Sequence, residues 1–95
     1  MLPFHIATAC LLALLACPAL LMAQEAPPGA TTCLGCHSPE RAGAAIASLR
    51  GRDAADVVEA MRAFREGRRP ATLMDRLARG FSEAETQAIA AWIVR

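Results

Sequence analysis

Cys33-Leu34-Gly35-Cys36-His37 carries the most specific chemistry in this chain. Two thiols three residues apart match the two vinyl groups of a protoporphyrin, each closing to a thioether, and the imidazole after Cys36 then lies beneath the iron as its proximal ligand. The motif therefore reads as the covalent attachment site of one c-type haem.

An iron held by a single imidazole needs a second axial ligand or stays open to exchange. His5 lies in an apolar leader, so His37 is the only histidine downstream of it and a bis-histidine pair is excluded within the mature chain. Two thioethers remain. Met61 shares a helical apolar stripe with Val57 and Phe64 and reads as core filling. Met74 follows a proline-led stretch just before a short turn, from which its sulfur can enter a crevice opposite His37. A thioether favours ferrous iron, raises the potential and closes the site to small molecules. The expected role is one-electron transfer rather than enzymatic bond chemistry.

Two other uses of the same residues are a Cys-x-x-Cys thiol oxidoreductase and a metal site. The first belongs in a βαβ context, and no segment here shows strand alternation. A tetrahedral zinc site needs a fourth ligand, and the mature chain has no further Cys or His to offer, which leaves only a carboxylate.

The elements that must position these residues begin after a distinct leader. Residues 1–23 contain no Asp, Glu, Lys or Arg and hold an apolar run over residues 6–22. This is the layout of an export signal peptide with cleavage after Ala23, which places the mature domain, residues 24–95, in the periplasm. An uncleaved anchor and lipidation at Cys17, within Leu14-Leu15-Ala16-Cys17, are the alternatives; either would tie the domain to a membrane, still outside the cytoplasm. Cys10 and Cys17 fall in the leader, so Cys33 and Cys36 are the only mature cysteines and no disulfide framework exists if both hold haem.

Removing residues 1–23 leaves 72 of 95. So short a chain buries a modest core and usually needs a staple, which a covalent haem supplies through its apolar faces. All nine acids and all ten basic residues follow the leader, and every basic one is arginine. Two propionates would take the formal charge from +1 to about −1. No basic block suggests nucleic acid.

Along the mature chain, a Pro/Gly-rich lead-in over residues 24–30 precedes a short turn or helix bearing the cysteines. Residues 38–51, rich in Ala, Gly and Ser, read as a loop. Asp53 is a natural N-cap with Asp56 in the first turn, and Val57, Val58, Met61 and Phe64 give a helix to about Glu66, stopped by Gly67. Pro70 makes residues 68–72 a rigid link. A short helical turn over residues 73–79 is closed by Gly80. Ser82-Glu83-Ala84-Glu85 is a capping box opening a last helix with Ala84, Ala88, Ile89, Trp92 and Ile93 on one face. The fold class is all-α, with three to four helices. Trp92 is expected to pack the last helix on the N-terminal segment near Gly29, contact with the haem being the alternative. Arg50 and Arg52 sit on a loop able to reach a propionate, and Arg68 and Arg69 on a turn able to face an acidic partner.

With these residues placed, the chain resembles the class I cytochromes c, and more narrowly the haem subunits of flavocytochrome c sulfide dehydrogenases. The likeness runs through Ile46-x-Ser48-Leu49-x-Gly51-Arg52, Ala63-Phe64-Arg65-x-Gly67, Arg69-Pro70-Ala71-Thr72-x-Met74-Asp75-Arg76-x-Ala78-x-Gly80-Phe81-Ser82 and Ala88-Ile89-Ala90-Ala91-Trp92-Ile93. The resemblance implies the class I fold around one covalent haem c, Cys33 and Cys36 as thioether donors, and His37 and Met74 as axial ligands. It also implies a flavoprotein partner that oxidises sulfide at its own FAD and passes electrons to the haem; a free-standing shuttle is the alternative. Two departures stand out. Ala47 occupies the place of a usual proline, whose carbonyl accepts the proximal histidine's other nitrogen, and the chain has one cytochrome domain where many such subunits have two.

Overall fold

The computed structural model describes residues 25–95, and the expected signal peptide lies outside them. The described residues form four helices and no strand: α1 (Ala30–His37), α2 (Ala54–Arg65), α3 (Met74–Ala78) and α4 (Glu83–Ile93). The all-α expectation holds, and the cysteine segment is a true helix of eight residues. None of the described helices is long and apolar enough to cross a membrane.

Each boundary has a local cause. Gly29 precedes α1 with φ +85°, a left-handed conformation that glycine adopts without steric cost. Asp53 caps α2, its side chain accepting from the Ala55 amide at 2.8 Å. At the other end Gly67 takes φ +73°, its amide donating to the Phe64 carbonyl at 3.2 Å and the Arg68 amide to Ala63 at 2.9 Å. That pair of crossed bonds is a Schellman stop, as the glycine predicts. Ser82 and Glu85 close the expected capping box on α4.

Helix α2 is the hub, packing against both α3 and α4, while α1 crosses α4. The α1 entry is tight. A Cβ on Gly29 would lie 2.7 Å from Phe81 Cε1 and 3.7 Å from Ile89 Cδ1. The ring that meets Gly29 is thus Phe81 rather than the expected Trp92, because the chain between Gly80 and Ser82 turns Phe81 back under α1. The buried apolar set is small: Ala30, Val57, Ala63, Ala78, Ile89, Ala90 and Ile93, with no large side chain wholly enclosed.

Arginines reinforce this frame from outside. Arg62 pairs with Glu59 at 2.7 Å and with Glu83. Arg65 reaches Glu83 at 3.3 Å, the Thr86 hydroxyl at 3.3 Å and the Ala78 carbonyl at 3.4 Å. One guanidinium thereby joins α2 to α4 and to the end of α3. Arg68 is held by Glu59 and Glu66 at 2.9 and 2.7 Å, and Arg69 lies 4.9 Å over the Phe64 ring. Both engage their own chain.

Candidate functional site

Helix α1 delivers three reactive groups over its last four positions and Cys33. Cys33 and Cys36 are free thiols. Cys33 is half-buried, its sulfur 3.6 Å from the Gly29 carbonyl, and burial pushes its pKa up. Cys36 is exposed.

The imidazole of His37 is oriented by the loop that follows. Its Nδ1 lies 2.6 Å from the Ala47 carbonyl oxygen. A carbonyl only accepts, so Nδ1 is the donor, and in the neutral ring that leaves the lone pair on Nε2. The bond expected from a proline carbonyl is therefore made by Ala47.

The loop itself is stitched down. The Leu49 amide donates to the His37 carbonyl at 3.3 Å, and the Arg52 amide closes a turn on Leu49 at 3.3 Å. Gly51 has φ +78°, the third position of a type II turn, and its amide donates to Val94 at 2.7 Å. One turn thus bonds to the end of α1 and to the end of α4. Arg52 donates from Nε to the Ser48 carbonyl at 2.9 Å.

Beside His37 opens a cleft of about 350 Å³, walled by Leu34, Pro39, Arg50, Trp92, Ile93 and Arg95. Trp92 therefore belongs to the imidazole's surroundings. Its position on the apolar face of α4 was legible in sequence; which ring faced α1 depended on the Gly80-Phe81 turn and was not.

Met74 opens α3 and is half-buried. Cys33, Cys36 and His37 share α1, whereas Met74 comes from a separate element, and α1 and α3 do not pack substantially on each other among the described residues. Large apolar side chains stand open near both expected axial ligands. Leu73 and Leu77 on either side of Met74 are 52% and 46% exposed, and Ile46 beside Ala47 is 39% exposed. Asp75 adds a buried carboxylate oxygen without a partner.

Chemically, the arrangement offers two thiols, an imidazole oriented by a backbone carbonyl, a thioether on another element, and uncovered apolar surface on Ile46, Leu73 and Leu77. Among the described residues no three His, Cys, Asp or Glu side chains gather as a metal site. No protein-family model matches the chain, and no curated protein matches it closely enough to show kinship.

Proposed function

We propose that this chain is an exported electron carrier with one haem held covalently by Cys33 and Cys36, its iron bound axially by His37 and Met74. The observation that carries this reading is the 2.6 Å contact between His37 Nδ1 and the Ala47 carbonyl. An imidazole locked in that way has its proton on the outer nitrogen and presents Nε2 to a metal, the usual support for a ligating histidine.

The residues fit such a group on further grounds. A flat apolar macrocycle has two faces to bury; the protein leaves Ile46, Leu73 and Leu77 open and encloses no large side chain of its own. The elements that carry His37 and Met74 do not pack substantially on each other among the described residues. When bound, the haem supplies one-electron redox chemistry at its iron.

The protein's own contribution is positional. Ala47 fixes the His37 ring plane, Arg65 and the α2 packing fix where Met74 enters, and the apolar residues exclude water from the ligand face. The partner on this reading is a flavoprotein of the sulfide dehydrogenase type, with FAD on that subunit; a free shuttle serving other redox proteins is the other form of the same function.

The test is the absorption spectrum of tagged protein purified gently from its native cells. Haem c bands with co-purifying flavin support the flavoprotein subunit, and haem without flavin points to a shuttle. No haem overturns the proposal. In the oxidised haem form, Met74→Ala abolishes the sulfur-to-iron charge-transfer band; a surviving band shows that Met74 is not the ligand.

A further inference from the structure

A haem held through Cys33, Cys36 and His37 brings two carboxylates with it, and the chain must meet their charge beside His37. Resting on the function proposed above, we infer that Arg50 is the cation that binds one haem propionate.

Three observations single it out. First, Arg50 lines the same cleft as His37, with Leu34, Trp92 and Ile93 as its apolar walls. Second, the backbone on both sides is fixed: Leu49 donates to the His37 carbonyl at 3.3 Å, and Gly51 donates to Val94 at 2.7 Å. Arg50 thus occupies the second position of a turn bonded to the proximal-ligand residue itself, a far stiffer mounting than an open loop. Third, its guanidinium has no hydrogen-bond or ion-pair partner among the described residues. Arg41, Arg76 and Arg79 share that lack but do not line the cleft, and the remaining cations are engaged. Arg62, Arg65 and Arg68 are bound to carboxylates, Arg69 covers Phe64, Arg52 has its Nε on Ser48, and Arg95 in the same cleft is already engaged.

The chemistry suits the pairing. A planar guanidinium meets a carboxylate with two parallel hydrogen bonds, and apolar walls strengthen the pair by displacing water. The Arg50 charge near the ring also opposes removal of an electron from the iron, so its loss favours the ferric state.

The experiment compares the holoprotein with Arg50→Leu, Arg50→Lys and, as a control outside the cleft, Arg41→Leu. Reduction potential is read by spectroelectrochemistry and the propionate bending mode by resonance Raman. Arg50→Leu lowers the potential and shifts the bending mode, Arg50→Lys recovers most of the potential, and Arg41→Leu leaves the mode in place. Should Arg50→Leu accumulate poorly, Arg50→Gln gives the same readings. A haem-bearing Arg50 variant with the parental potential and an unmoved propionate mode overturns the assignment and leaves the proposed function standing. Absence of haem from the parent overturns both.

Discussion

At the scale of single residues, the two cysteines are unequal although the motif treats them alike. As free thiols, Cys33 is half-buried with a raised pKa and Cys36 is exposed. Thiolate is the nucleophile, so an alkylating reagent applied to the haem-free chain modifies Cys36 well ahead of Cys33, as mass mapping would show; equal rates would contradict the burial seen in α1. Gly29 is a second sharp position. Its φ of +85° and the 2.7 Å that would separate an added methyl carbon from Phe81 combine backbone strain with overpacking, so Gly29→Ala costs about 2 kcal/mol in urea denaturation. That Cys33, Cys36 and His37 share one helix was legible from their close spacing. The identity of the ring beneath Gly29 was not, since it depends on how the distant Gly80-Phe81 turn folds back.

At the scale of elements, stops and caps were the readable part. Asp53, Gly67, Ser82 and Glu85 act through bonds to near neighbours in sequence, so local rules suffice. Ser82→Ala removes the α4 cap and costs about 1 kcal/mol, measurable as a shift in the thermal midpoint. What sequence could not show was the pairing of charges between helices. Arg68 holds the Glu59 carboxyl below its ordinary pKa, and Arg62 does the same for Glu83. Because the folded pKa is the lower one, the support these acids give is complete above the unfolded value of about 4.3 and is lost as pH falls through the folded value. Both carboxylates are exposed, so added salt reduces the effect. An acid titration of stability should therefore steepen below that value in the parent and flatten in Glu83→Gln. Equal slopes would remove Glu83 from the account. On the turn expected to be able to face an acidic partner, Arg68 is paired with Glu59 and Glu66 of its own chain.

At the scale of the whole molecule, the buried apolar set is small and three large apolar residues stand open, as the proposed haem would require. The double variant Cys33→Ala/Cys36→Ala should accordingly lose its cooperative thermal transition in far-UV circular dichroism; a sharp melt at the parental temperature would show that the helices are sufficient on their own. The all-α class could be read from helical periodicity, but which helices pack on one another could not, because that depends on contacts between residues distant in sequence. The His37–Ala47 contact also carries a kinetic consequence. It spans only ten residues, and closing a loop of that length takes on the order of 10–100 ns. The His37 ring is thus re-aimed by local chain motion, whereas Met74 is placed only once α2, α3 and α4 have assembled. The two side chains have different memories: one is restored almost as soon as it is lost, the other only after the tertiary structure returns.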